Sequence, residues 1–214
     1  VFRDYLPTWL QQYPDLYVNL DGELQEEIEF RDATIRLMAL AMMIIYALMA
    51  VAFRSYWQPM LILTAVPFGL MGAIFGHMIL GWQVSLFSIM GVTACAGVVV
   101  NDNLVLIDRI NRLRGEGQEV VSALLQAGED RFRPIILTSL TTFVGLLPIM
   151  SETSVQAQFL IPMVTSLSFG VLFATGVTLI LVPALYLIAE DLSAFKSRFL
   201  DRYQRHQGET PSPS

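Results

Sequence analysis

A single acid, Asp102, stands deep inside an apolar run, with Asn101 and Asn103 on either side of it. An ionised carboxylate in hydrocarbon is costly, so such a residue normally faces a bundle interior or a wet cavity. It precedes Arg109 by seven residues, roughly 10 Å of helix from a basic end. Ala94, Gly97 or Val98, and Asn101 or Asp102 share one helical side, and small residues there let another helix approach closely. The next apolar run carries Thr138, Thr141, Thr142 and Gly145 at i, i+3, i+4 and i+7. Hydroxyls on that stripe can hydrogen-bond a carboxylate or a chain of water. The chemistry implied is proton transfer through a membrane. The competing reading is a polar interhelical contact that only fixes packing.

Other chemistries lack their residues. The histidines are His77 and His206, so no Ser/His/Asp or Cys/His set forms. His77 falls near the outer end of an apolar run and is expected to be a headgroup-level anchor. Gly115-Glu-Gly117 follows no strand, which leaves an ATP-driven mechanism without a phosphate loop. The lone Cys95 has no partner for an intramolecular disulfide and no metal-ligand spacing around it, and is read as a small packing residue. No basic stripe interleaved with aromatics appears, so nucleic acid is not an expected partner.

The elements that must position Asp102 are long and apolar. Hydrophobic residues make up 54% of the chain and charged residues 15%, with mean hydropathy +0.55, where a soluble domain carries about 25% charged residues. Five stretches, about 33–53, 58–80, 83–112, 134–151 and 159–189, are long enough to cross a bilayer. They compose an expected transmembrane bundle over 33–190. The helices lack the polar face of a soluble bundle, and their prolines are tolerated in membrane helices. The fifth stretch exceeds one span, so its part near Pro162 is expected in the interface or in a separate short helix. Between the third and fourth spans, residues 115–131 place Val120, Val121, Leu124 and Leu125 on one face. This suits an amphipathic connector along the membrane surface, or an ordinary solvent-facing linker.

Residues 1–32 are polar. Leu16, Val18 and Leu20 alternate as in a half-buried strand, Asp21-Gly22 signals a turn, and Glu23–Arg31 is an acidic helix running into the membrane. They are expected to be the end of a larger α+β domain whose upstream part is missing. Residues 191–214 form a tail expected to be partly disordered, above all after Leu200. The fold class is thus an all-α membrane bundle of about five transmembrane helices with a short N-terminal remnant.

Basic residues set the expected orientation. Arg54 lies between spans one and two. Arg109, Arg112, Arg114, Arg131 and Arg133 lie between three and four, and Lys196, Arg198, Arg202 and Arg205 follow the fifth. These fall on one side of five alternating spans, whereas Gly81–Gln83 and Ser151–Gln158 carry no Lys or Arg. The C-terminus is therefore expected in the cytoplasm and Val1 outside. Trp57 and Trp82 sit near span ends, where amphipathic rings favour the interface.

Several of these segments resemble one family. Gly97-Val-Val-Val-Asn-Asp-Asn-Leu-Val-Leu-Ile-Asp108 looks like the tenth transmembrane helix of resistance–nodulation–division (RND) permeases. Arg131-Phe-Arg-Pro-Ile-Ile-Leu-Thr-Ser-Leu140 is similar to the start of their eleventh. Phe53-Arg-Ser-Tyr-Trp-Gln-Pro59 fits their eighth-to-ninth connection, and Leu181-Val-Pro-Ala-Leu-Tyr186 the end of the twelfth. The resemblance is nearest to the hydrophobe/amphiphile efflux branch. It implies the second half of a twelve-helix pump of the bacterial inner membrane, exchanging protons for exported hydrophobic or amphiphilic compounds. It needs no cofactor beyond the proton motive force. The implied partners are the missing N-terminal half, two further copies in a homotrimer, a periplasmic adaptor, an outer-membrane channel and the lipid bilayer. The family's relay arginine matches Arg131 and its relay threonine Thr138. Its relay lysine falls at Asn101, beside Asp102. The alternatives are an RND relative that moves metal ions or lipids or assists protein translocation, and a truncated fragment that transports nothing.

Overall fold

A computed structural model of the chain describes residues 23–208. The strand expected near residues 15–20 lies outside them. Six helices follow one another: α1 (Glu23–Phe53), α2 (Trp57–Leu63), α3 (Val66–Leu80), α4 (Leu86–Gly115), α5 (Val120–Met150) and α6 (Val155–Gly208). Five helical stretches are long and apolar enough to cross a membrane, with α2 and α3 together making the second. Among the described residues the fold is all-helical, as the apolar runs require: in hydrocarbon, backbone polar groups must be satisfied within the segment.

By its contacts the chain divides into two units, Val1–Leu37 and Met38–Ser214. In the first, the described residues are the opening turns of α1. There Arg36 Nε donates to the Asp32 carbonyl at 3.1 Å, and Arg31 pairs with Asp32 at 3.2 Å. In the second, α6 is the central helix, packed against α3, α4 and α5. α4 also packs against α5, α3 and α2.

Proline decides one break and fails to make two others that were expected. Pro67 has no N–H to give the carbonyl of Leu63, and its ring crowds that carbonyl. The second span accordingly parts into α2 and α3, with the Thr64 hydroxyl donating to the Leu61 carbonyl at 2.6 Å across the joint. Pro134, by contrast, lies inside a continuous α5. The separate amphipathic connector expected over 115–131 is therefore corrected: from Val120 onward it is the first part of the fourth span's own helix. Ala123, Leu124 and Ala127 are buried there, whereas Val121 and Leu125 of the expected apolar face are exposed. Pro162 likewise lies inside α6 and starts no separate helix. α6 also runs on to Gly208, so the tail is helical through much of the stretch where disorder was expected.

The interior is built from close approach as much as from bulk. Cys95, fully buried, seats its sulfur against Gly69 of α3 and Gly170 of α6. A Cβ placed on Gly72 would stand 2.6 Å from both the Phe169 carbonyl and the Phe173 side chain, and one on Gly76 2.6 Å from Phe169. Without a hydrophobic force between helices in lipid, such backbone-to-backbone packing holds the bundle. A second core, nearer the basic end, gathers Ile62, Leu106, Ile107, Ile110, Leu113 and Val182.

Gln118 and Glu152 flank α5 at its two ends. Reporter fusions at these two positions are expected to report opposite compartments, Gln118 on the basic side. The same compartment for both would remove the five-span arrangement.

Candidate functional site

The carboxyl that the sequence singles out projects from the middle of α4. Asp102 is half-buried, and its Oδ2 is buried with no hydrogen-bond partner. Its two neighbours part company. Asn103 is buried and ties its amide to the Val99 carbonyl at 2.8 Å, one turn back. Asn101 is exposed. Successive helix positions are turned by about 100°, so the three polar side chains point apart: Asn103 is fully buried, Asp102 half-buried and Asn101 exposed.

Arg131 and Thr138 stand seven residues apart on α5, hence on the same helical face. Arg131 is half-buried, and its Nε is buried without a partner. Thr138 is exposed and donates to the Pro134 carbonyl at 2.9 Å. That carbonyl lacks no donor through chance: residue 138 supplies it twice, by main chain and hydroxyl. Thr141 and Thr142 do the same one turn on, to Leu137 and Thr138 carbonyls at 2.8 Å each. The helices bearing the four candidates, Asp102, Asn101, Arg131 and Thr138, pack together. Among the described residues, however, no hydrogen bond or ion pair joins any two of the four. The threonine stripe expected to face the carboxylate lines an open side of α5 instead, a helix whose most apolar window is only 11% buried.

The hydroxyl that α5 does bury is Ser139. It meets Thr175 of α6 at 2.7 Å, both side chains being almost fully enclosed. On α6, Thr165, Ser166, Ser168 and Thr178 are buried as well. This seam was missed in the sequence, although its signal is there: Thr165, Ser168, Thr175 and Thr178 follow one another at spacings of three, seven and three through the fifth span. His77 was misplaced too. It is 3% exposed, not an interfacial anchor. Its Nδ1 lies 2.9 Å from the Ala73 carbonyl and its Nε2 2.8 Å from Ser88 Oγ. A carbonyl only accepts, so Nδ1 carries the hydrogen. Ser88 in turn accepts from the Ser85 amide at 3.0 Å where α4 begins, which clasps α3 to α4.

At the basic end, ion pairs and amides pin the helices. Arg109 reaches Asp130 at 2.7 Å, joining α4 to α5, and Arg114 reaches Glu190 at 2.9 Å, joining α4 to α6. Gln58 and Asn111 exchange two amide hydrogen bonds of 3.0 and 2.9 Å. Among the described residues no three of His, Cys, Asp and Glu come together as a metal would require. What α4 offers is one half-buried carboxyl, Asp102, with an unsatisfied oxygen.

Comparison with known proteins supplies the context. The model of the AcrB/AcrD/AcrF family matches residues 9–190. A cobalt-zinc-cadmium resistance protein, CzcA, of Cupriavidus metallidurans is 30% identical over 191 residues, which are 86% of this chain and 18% of that protein. A cation efflux system protein CzcA of an Alcaligenes species matches to the same extent. Among solved structures, the crystal structure of a heavy metal efflux pump superposes with a TM-score of 0.65 at 24% identity, over 89% of this chain and 20% of that one. The chain thus spans about a fifth of the length of these relatives.

Proposed function

We propose, from the premise that this chain belongs to the AcrB/AcrD/AcrF family of RND permeases, that it is the second transmembrane half of a proton-driven efflux transporter whose cargo is divalent metal cations. One observation carries the cargo: the CzcA proteins, named for cobalt, zinc, cadmium or cation efflux, are 30% identical over 86% of the chain. The hydrophobic or amphiphilic cargo expected from the sequence gives way to the metal alternative on that ground. Family membership supports a place in the inner membrane, assembly as a homotrimer, and work with a periplasmic adaptor and an outer-membrane channel.

Within this reading Asp102 is a proton-carrying group, and Asn101, Arg131 and Thr138 set its surroundings when the other half of the permease packs on. Exposed polar groups on α4 and α5 support this. Asn101, Thr138 and Thr141 are exposed here, and polar groups inside a membrane normally face another helix or water. A proton bound at the carboxyl neutralises it and lets α4 shift; its release restores the charge. Alternation of that kind can drive the exchange of protons for cargo.

The test uses the longer protein that carries this chain, expressed in a host stripped of its own efflux pumps. Growth on graded cobalt, zinc and cadmium is expected to improve over an empty vector. Protection against dyes and detergents with none against these metals would return the cargo to the amphiphilic class.

A further inference from the structure

Where α1 ends, the backbone does something unusual. The Ser55 amide donates to the Ala50 carbonyl at 3.3 Å, and the Arg54 amide to the Val51 carbonyl at 3.4 Å. This is the hydrogen-bond pattern of a Schellman cap, in which the residue after the helix turns left-handed and is usually glycine. Here it is Arg54, with φ of +51°, the one non-glycine residue of positive φ among the described residues. A side chain at that position strains the backbone. A basic residue anywhere in the last turn would serve the helix dipole equally well. The strain therefore points to a need for a cation at this particular corner.

The corner is a built recess. A cavity of about 480 Å³ opens here, a size that suits part of a small amphiphile. Ala47, Ala50 and Val51 make its apolar wall. They stand at i, i+3 and i+4 on the face of α1 that ends, at i+7, in Arg54. Arg54, Ser55 and Tyr56 make its polar rim. The Tyr46 hydroxyl donates to the Tyr56 carbonyl at 3.1 Å and braces the rim against the helix. Tyr56 and Trp57 are exposed beside it, where an aromatic belt would lie.

The charge of Arg54 is unanswered. Among the described residues it joins no ion pair, while Arg109, Arg112 and Arg114 each have a carboxylate. No acidic residue occurs between Asp32 and Asp102. An exposed guanidinium at the end of a membrane span, above a smooth apolar wall, complements a molecule with a negative head and a hydrocarbon tail.

We propose that the Arg54 corner binds an anionic phospholipid of the surrounding bilayer, its phosphate on Arg54, Ser55 and Tyr56 and an acyl chain along Ala47, Ala50 and Val51. Trp57, next to the rim, is the reporter. With Trp9 and Trp82 changed to Phe, it is the sole tryptophan of the chain. The purified chain is reconstituted with brominated phosphatidylglycerol or brominated phosphatidylcholine at equal mole fraction. Quenching of Trp57 is expected to show local enrichment of the anionic lipid on the order of fivefold. R54K should keep that preference and R54Q should abolish it. R54G should abolish it too while relieving the backbone, so a loss of preference in R54G cannot be blamed on misfolding. Equal quenching by both lipids, or a preference that survives R54Q and R54G, would overturn the proposal.

Discussion

Asp102→Asn in the assembled pump is expected to reduce proton-driven export to background while expression and trimer assembly stay normal. The separation of the two effects follows from geometry. Asp102 accepts no hydrogen bond from the described residues, and its Oδ2 is buried unsatisfied. The change thus removes no contact that holds α4 in place, and the amide has nearly the same shape. What it does remove is the ability to gain and lose a proton at mid-helix. Asp102→Glu keeps that ability and should retain measurable export. The measurement is metal extrusion from energised vesicles across a range of pH, compared with the amount of folded pump. Normal export by the Asn variant over that range would reduce Asp102 to a packing residue. A loss of export matched by a loss of folded protein would do the same, because the effect would then be structural.

A large stability effect is expected at a glycine of the α3–α6 contact. Gly72→Ala introduces a methyl group 2.6 Å from the Phe169 carbonyl, 2.6 Å from the Phe173 Cβ and 3.0 Å from the Gly170 Cα. Two of these three atoms are backbone, so no rotamer change relieves the contact and α3 must move away from α6. Overpacking of that kind costs about 1–3 kcal/mol, and here it falls on the contact between the second span and the central helix. Gly97→Ala is the control with the opposite sign. Nothing lies within 4 Å of the Cβ it would add, and replacing a helical glycine by alanine gains up to about 1 kcal/mol. Denaturant titration of the purified chain, followed by helical content, should lower the midpoint for Gly72→Ala and leave or raise it for Gly97→Ala. Equal effects at both sites would mean that the α3–α6 approach does not hold the bundle.

The two sites also show how unevenly the sequence discloses its structure. Asp102 was conspicuous because a carboxylate stands out against apolar neighbours. Gly72 was not, because a glycine among Phe68, Leu70, Met71 and Ile74 says nothing by itself about which helix it meets. The threonine stripe misled for a related reason. Thr138, Thr141 and Thr142 keep helical spacing, but a hydroxyl can satisfy itself on the carbonyl one turn back, as all three do. Spacing therefore marked a common face without saying which way the face points. Ser139, one residue along, is the hydroxyl that turns inward to Thr175.

The number of apolar spans, the basic end and the family motifs around Asp102 and Arg131 were all legible in the sequence; the start of the fourth span was not, since its helix begins at Val120. Each legible feature rests on a property that residues carry alone or with near neighbours: apolar length, charge, and a local pattern. Only the tertiary structure decided which side of each helix is inside, where His77 and Ser139 find their partners, and that α5 and α6 run unbroken through Pro134 and Pro162. In water, a polar face and an apolar face announce a helix's inside and outside. In lipid both faces are apolar, and the inward one is chosen by how closely two backbones can approach. That choice belongs to the pair of helices, as at Gly72 against Phe169 or Cys95 against Gly170, and neither helix shows it alone.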